Sequence, residues 1–137
     1  MKRLKPHPID WPQVQRFLNA ADKKLASARK IWAFDDETCL QQAYEAMLKA
    51  SLGLMLSHGS RPRSQPGHRI AIIDFARSHL HKQHSGLLTI FDRLRRKRNL
   101  ALYDDTGFTS HYDAEQALES AERYLRLIRT DIESRIP

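Results

Sequence analysis

Cysteine is nearly absent from this chain: Cys39 is the one thiol among 137 residues. An intramolecular disulfide is therefore excluded, and a protein that folds without one fits a reducing compartment. Long apolar runs are also missing, and none approaches the roughly 20 residues that cross a bilayer as a helix. The first residues, MKRLKPHPIDW, carry charge without an apolar run behind them, so we expect no secretory signal. These absences predict a cytoplasmic protein with no membrane segment.

Strand-like alternation of apolar and polar residues is missing too, and helical spacing takes its place. Breakers and capping residues separate five segments that repeat apolar residues every three or four positions. The predicted helices run from Asp10 to Trp32, from Asp35 or Asp36 to Gly59, from about Ile70 to Leu80, from about Leu87 to Leu102, and from Ser110 to Ile132. We predict one all-α domain, residues 1–137, built as an up-and-down antiparallel bundle of four long helices plus one shorter helix.

Positive charge exceeds negative charge: 23 lysines and arginines face 16 aspartates and glutamates, for a formal net charge of +7. A basic surface favours polyanionic partners, so RNA or nucleotide phosphate is the partner that composition suggests. The densest basic run is RLRRKR, in which Arg95, Arg96 and Lys97 are candidate contacts to a nucleic-acid backbone. A solvated face paired with carboxylates is the alternative, because no aromatic side chains alternate with this run.

Arg98 occupies a position at which the pattern of the fourth helix predicts an apolar side chain. The stripe repeats at spacings of four, three, four and three, as a single buried face does, and comprises Leu87, Phe91, Leu94, Arg98 and Ala101. A buried guanidinium needs an anion beside it. That anion is either a bound phosphate, which a guanidinium holds with two parallel hydrogen bonds, or an internal carboxylate such as Asp104 or Asp105.

Connectivity places further basic residues near Arg98. If successive helices reverse direction, one end of the bundle holds the chain start, the loop SRPRSQPGHR and the turn LYDDTG. Arg98 lies about five residues, or roughly 7.5 Å of helix, before that turn. We therefore expect Arg98 and Tyr103 to face one pocket with the loop residues Arg61, Arg63 and His68.

The segment RLRRKRNLALYDD, late in a small helical bundle, resembles the polar motif of the HEPN superfamily, in which an Arg, often followed by Asn, precedes a His by roughly four to six residues. The segment AYEAMLKASLGLMLSHGSRPRSQPGHR also resembles the second helix and loop of HEPN members. Such domains act as metal-independent endoribonucleases, often as toxins or antiphage effectors, and bring the motifs of two protomers together at a dimer interface. Others bind nucleotides or partner proteins. The resemblance implies a helical domain, an RNA or nucleotide ligand and a homodimer.

Carried over to this chain, the motif Arg corresponds to Arg98 and its Asn to Asn99, whereas Tyr103 stands where the His is expected. An ordinary tyrosine has a pKa near 10, so about one molecule in a thousand is ionised at pH 7. Loss of a positioned base typically costs about 10²–10⁴-fold in rate. His68, or else His111 beyond the turn, is the alternative imidazole for taking a proton from an RNA 2′-hydroxyl, while Arg98 stabilises the charge on the phosphate.

Three histidines in the segment HLHKQH suggest zinc by residue type alone. His79 and His81 are two residues apart, however, and point in different directions on a helix. We therefore expect no metal and no cofactor.

These observations leave three functions open. The first is a HEPN-like RNA-binding or nucleotide-binding domain that is a degenerate or inactive metal-independent ribonuclease. The second is an active endoribonuclease toxin or antiphage effector that uses Arg98 with Tyr103 or His68. The third is a structural dimerisation or partner-binding module, paired with an antitoxin or a nucleotidyltransferase-type protein, in which Arg98 is neutralised inside the bundle. A bidentate carboxylate on Arg98 favours the third function, and a basic groove beside Arg98 favours the first two.

Overall fold

The computed structural model describes residues 4–64, 67–103 and 109–137, with side chains for all of them except 101–103. Helices dominate it: α1 (Trp11–Ile31), α2 (Asp36–Ser57), α3 (His68–His79), α4 (Ser85–Tyr103) and α5 (His111–Glu133). Short strands β1 (Leu4–Pro6) and β2 (Ser60–Pro62) form an antiparallel pair, and a 3₁₀ turn spans Lys82–His84. The predicted all-α class is confirmed in this form, as a mostly helical chain with one small sheet.

The two strands are the elements that sequence patterning missed. β1 and β2 hold three residues each, with Lys5 opposite Arg61, so neither is long enough to show an alternating pattern. Each strand ends at a proline, Pro6 or Pro62, which cannot donate to a ladder and so limits how far the pair extends. The pairing of β1 with β2 holds the start of the chain against the segment that follows α2.

Capping side chains set the starts of most of these helices. Three predicted caps accept a hydrogen bond from a first-turn N–H: Asp10, Asp35 and Ser110. α3 differs because its N-cap is Gly67, which has a φ of +84° and makes no side-chain hydrogen bond to the helix. Left-handed backbone of this kind suits glycine, and it lets α3 begin at His68, earlier than predicted.

α2 lies at the centre of the domain. It packs against the other four helices. Cys39, Tyr44, Met47 and Leu54 on this helix are completely buried. Because burying one large apolar side chain contributes about 1.5–3 kcal/mol, contacts around α2 supply much of the stability of the fold. Within the described ranges, no helix has the length and apolarity needed to cross a membrane.

The two ends of α2 show how its neighbours are arranged. Where α2 begins, the imidazole of His111 at the start of α5 lies 2.7 Å from the Asp36 carboxylate. Where α2 ends, the N–H of His7 donates to the Gly59 carbonyl at 2.9 Å. A helix of 22 residues separates these ends by about 33 Å. The chain start and the loop after α2 therefore share one end, as predicted, but the prediction that the turn before α5 joins them is wrong. Residues 104–108 of that turn lie outside the described residues.

The error arises in the connection between α2 and α3. α3 ends beside the end of α2, where the ring centroids of Phe75 and His58 are 5.7 Å apart. Its 12 residues place its start about 18 Å away, beside Arg95 and Asn99 in the second half of α4. The start of α3 therefore lies well away from the end of α2, and α3, α4 and α5 all run opposite to the predicted directions.

Ser51 and Tyr124 form a buried polar contact between α2 and α5. The Ser51 hydroxyl donates to the Met47 carbonyl at 2.8 Å, so the Tyr124 hydroxyl, 2.6 Å away, donates to the Ser51 oxygen. Burial raises the pKa of Tyr124 and keeps this donor protonated.

We expect Ser51→Ala to lower the free energy of unfolding by about 1–3 kcal/mol, because it leaves the Tyr124 hydroxyl buried without a partner. Tyr124→Phe removes the donor itself and is expected to cost about 1 kcal/mol. Urea denaturation of both variants measures the two losses. A larger loss in Tyr124→Phe than in Ser51→Ala would contradict the donor direction assigned above.

Candidate anion-binding site

Arg98 continues the buried stripe of α4 and lies against α2. Leu94, one turn earlier, is buried, and the Arg98 side chain retains 23% of its exposure. Its guanidinium carbon is 5.9 Å from the centroid of the Tyr44 ring. A guanidinium near an aromatic face is attracted to the ring electrons, so this contact helps to hold the cation at the edge of the core.

Among the residues that the structure describes, the carboxylate that contacts Arg98 is Glu45, and the contact is loose. The Nη2 atom of Arg98 and the Oε1 atom of Glu45 are 3.4 Å apart, whereas a charge-assisted hydrogen bond is about 2.7–2.9 Å long. The Nε atom of Arg98 is buried and has no hydrogen-bond partner among the described residues. Arg98 is thus not held by a bidentate carboxylate in the described part of the chain. Asp104 and Asp105, the predicted partners, lie outside the described residues.

A basic recess opens between the start of α3 and the second half of α4. Its volume is about 380 Å³, and its lining residues are Gly67, His68, Arg69, Ile70, Arg95 and Asn99. No carboxylate is among these lining residues. The Nε atom of Arg95 donates to Asp92 at 3.0 Å, so one of the two arginines is partly compensated. His68 and Asn99 therefore line one recess, whereas Arg98 is not among its lining residues.

Two residues of this region were missed as site candidates. Arg69 follows His68 at the start of α3 and lines the recess, and its buried Nε atom has no partner among the described side chains and backbone. Tyr44 was predicted as part of the apolar face of α2, and its buried hydroxyl also has no partner there. Burial raises the pKa of Tyr44 to about 12, although the charge of Arg69 acts in the opposite direction. The one local signal for Arg69 was its place beside His68 in a basic loop.

The other predicted basic residues do not converge on Arg98. Arg61 pairs with Lys5 across the strands and borders a separate recess with His7. Arg63 is exposed just after β2. The structure places these two beside the hairpin and not in the recess of Arg69, so the predicted pocket holds only part of the loop.

The basic run of α4 is largely paired with carboxylates. Arg96 contacts Asp92 at 2.7 Å, and Lys97 donates to Asp113 at 2.8 Å. The Lys97 hydrogen bond is the largest influence that lowers the pKa of Asp113. Arg96 and Lys97 therefore belong to a solvated face paired with carboxylates, and not to an unpaired surface for phosphate.

His68 and His111, the two imidazoles proposed as alternatives to the motif His, lie in different places. The side chain of Tyr103 lies outside the described residues. The His111 ring stacks on Trp32 with centroids 4.4 Å apart and contacts Asp36, so it belongs to the start of α2 and not to the recess. His68 is the imidazole that lines the recess. Among the residues that the structure describes, no three His, Cys, Asp or Glu side chains converge as metal ligands.

Because the Arg98–Glu45 contact is single, long and partly exposed, we expect Glu45→Gln and Arg98→Gln each to change the free energy of unfolding by less than about 1 kcal/mol. Urea denaturation measures both, with Arg129→Gln as a control that removes an exposed pair with Asp22 of 2.6 Å. If Arg98 and Glu45 instead formed a buried ion pair that stabilises the fold, the loss of either partner would lower the free energy of unfolding by about 3–5 kcal/mol. A loss of that size in either variant would return Arg98 to the role of an internal ion pair.

Comparison with protein families agrees with the resemblance in the sequence. A model described as the HEPN domain matches residues 14–131, which include all of α2, α3 and α4 and therefore the whole recess. A comparison with curated proteins gave no match. The correspondence of Arg98, Asn99 and Tyr103 to the polar motif of the family stays a prediction. The match extends over most of the chain, and the chain belongs to the HEPN domain family.

Proposed function

We propose that this HEPN domain binds RNA or a nucleotide through phosphate at the basic recess, and that it is a degenerate, inactive metal-independent ribonuclease. Membership of the HEPN family supports the general class, because the family is associated with ribonuclease and nucleotide-binding functions. The recess supports the phosphate, since a guanidinium binds phosphate oxygens with charge-assisted hydrogen bonds.

One observation carries this proposal: among the described residues, the lining of the recess has arginine, histidine and asparagine side chains and no carboxylate. Asn99 lines it, and Arg98, the preceding residue in the chain, keeps an unpartnered Nε atom among the described residues. A site built to neutralise its own cations would have carboxylates at hydrogen-bonding distance. The volume of about 380 Å³ lies within the range of pockets for small ligands and accommodates a nucleotide phosphate.

Loss of activity is proposed because the motif position for a general base holds Tyr103. A phenol with a pKa near 10 is a weak base at neutral pH. Asn99 in this proposal orients the bound phosphate, and Arg95 adds charge at the rim of the recess. Neither group removes a proton from a 2′-hydroxyl, so binding persists where the chemistry is slow.

An active endoribonuclease, as a toxin or antiphage effector, is the second candidate, and the position of His68 favours it. His68 lines the same recess as Asn99 and Arg95. An imidazole there is placed to accept the proton of a 2′-hydroxyl on the nucleotide that the recess holds. In this version His68 replaces the missing motif His from another helix.

Assembly is part of the proposal as well. We take the four long helices and the shorter α3 to pack as one helical bundle that pairs as a cytoplasmic homodimer. Leu100 on α4 and Tyr112 on α5 are 69% and 68% exposed, and large exposed apolar side chains are typical of protein interfaces. A structural module that binds an antitoxin or a nucleotidyltransferase-type partner would use the same side chains. The loose contact of Arg98 with Glu45 weighs against a purely structural role for Arg98.

Binding and cleavage of a mixed panel of structured and unstructured RNAs in EDTA test the proposal. We expect the wild-type protein to bind without cutting and Arg98→Ala to bind about 10- to 100-fold more weakly. This range corresponds to the roughly 1.5–3 kcal/mol that a hydrogen bond to a charged group contributes. Arg93→Ala is the matched control, because Arg93 is an exposed arginine on the same helix and is not among the side chains with an unpartnered buried donor.

Three outcomes would change the assignment. Cleavage by the wild-type protein that leaves cyclic phosphate ends, and that His68→Asn abolishes, would establish the active enzyme. Equal weakening by Arg93→Ala and Arg98→Ala would indicate a diffuse basic surface instead of a recess. Neither binding nor cutting, together with a large loss of stability in Arg98→Ala, would place Arg98 in the fold.

A further inference from the structure

Three buried polar atoms beside the recess have no hydrogen-bond partner in the described part of the chain. They are the Tyr44 hydroxyl, the Nε atom of Arg69 and the Nε atom of Arg98. They come from α2, α3 and α4 and are close together. Arg98 lies 5.9 Å from the Tyr44 ring, and Arg69 lines the recess together with Asn99, the chain neighbour of Arg98. Buried polar groups are nearly always paired, so three unpaired donors in one place indicate a bound acceptor.

The start of α3 adds donors to the same place. Gly67 provides no capping side chain, so the first-turn N–H groups of His68, Arg69 and Ile70 receive no side-chain cap. Gly67 and these three residues all border the recess. The N-terminus of a helix carries partial positive charge and unsatisfied N–H groups, which favour an anion. This feature and the unpaired side-chain donors are independent observations that point to the same class of ligand.

The charges near Tyr44 favour an anionic ligand. The guanidinium groups of Arg69, Arg98 and Arg95 all act to lower the pKa of Tyr44. Asp92 is shared between Arg95 and Arg96, and Glu45 contacts Arg98. These two carboxylates leave an excess of positive charge, and a phosphodiester with its single negative charge neutralises part of it.

We propose that Arg69, Arg98 and Tyr44, together with the first turn of α3, form one phosphate site that takes the phosphodiester of RNA. The inference rests on the proposed function and extends it, because it assigns the phosphate contacts to α2 and α3 as well as to the α4 motif. Arg69 and Arg98 donate through Nε–H to phosphate oxygens. The Tyr44 hydroxyl donates as a neutral phenol, since burial raises its pKa to about 12 and keeps its proton in place at neutral pH.

Nitrogen-15 NMR of the arginine Nε–H groups tests the site in the wild-type protein. The probes are inorganic phosphate and a dinucleotide with one internal phosphodiester, each added at constant ionic strength against chloride. We expect both probes to shift the Nε–H signals of Arg69 and Arg98 saturably and to leave that of Arg77, an exposed arginine later in α3, unchanged. If neither probe shifts these two signals saturably, the proposal is overturned.

Variants then separate binding from folding. Tyr44→Phe keeps the ring and removes only the unpaired hydroxyl, so its melting temperature is expected to equal or exceed that of the wild-type protein. Its affinity for both probes should fall about tenfold, as should that of Arg69→Gln, whereas Arg77→Gln should match the wild-type protein. Unchanged affinity in Tyr44→Phe and Arg69→Gln would overturn the assignment of these two residues.

The two probes and RNA distinguish the site from the proposed function. If inorganic phosphate binds and the dinucleotide does not, the phosphate site stands but its assignment to a phosphodiester is overturned. If both probes bind and RNA does not, the site stands and the proposed RNA-binding function fails. A further outcome is that RNA binds and that Arg98→Ala weakens this binding, whereas Tyr44→Phe and Arg69→Gln leave it unchanged. In that case the proposed function stands and the site described in this subsection is overturned.

Discussion

The burial of α2 on nearly every side is the constraint on which the rest of the structure depends. A helix enclosed by four others has little solvent-facing surface, so a polar group on it needs a partner from a neighbouring helix. Ser51 meets this requirement through Met47 and Tyr124. Tyr44 does not meet it among the described residues. The Tyr44 hydroxyl, unpaired among the described residues, therefore lies near the arginines of α3 and α4, and the packing of the central helix determines where the proposed phosphate site lies.

The burial of α2 also explains why Arg98 lies on the apolar stripe of α4. Its long side chain carries the guanidinium past the buried Leu94 to the Tyr44 ring, where partial exposure remains. A leucine at this position would fill the same face but supply no donor. Glu45 lies near enough to reduce the cost of burying the charge and too far to saturate its donors. Such incomplete compensation is what a binding site requires, because a fully paired guanidinium would have to lose its carboxylate before taking up phosphate.

Local signals in the sequence predicted much of the fold but only half of the candidate site. The caps at Asp10 and Ser110, the central place of α2 and the unusual position of Arg98 all depend on residues a few positions apart. Glu45 contacts Arg98, and Arg69 lines the recess with Asn99, across separations of dozens of residues, and no periodicity reports such contacts. The directions of α3 and α4 were mistaken for a similar reason: the spacing of apolar residues shows that a helix forms, but it does not show how far the preceding loop travels.

Binding and catalysis are separable in this arrangement. In the proposed site the phosphate contacts come from three helices, whereas the proposed motif base is one side chain, so a Tyr at position 103 would remove proton transfer and leave every proposed phosphate donor in place. The unpaired donors also destabilise the ligand-free protein, since each buried group without a partner costs about 1–3 kcal/mol. A chain with no phosphate ligand would gain stability by replacing Arg69 or Arg98 with an apolar residue and Tyr44 with phenylalanine. The presence of all three in one cluster is therefore accounted for by a ligand that compensates them.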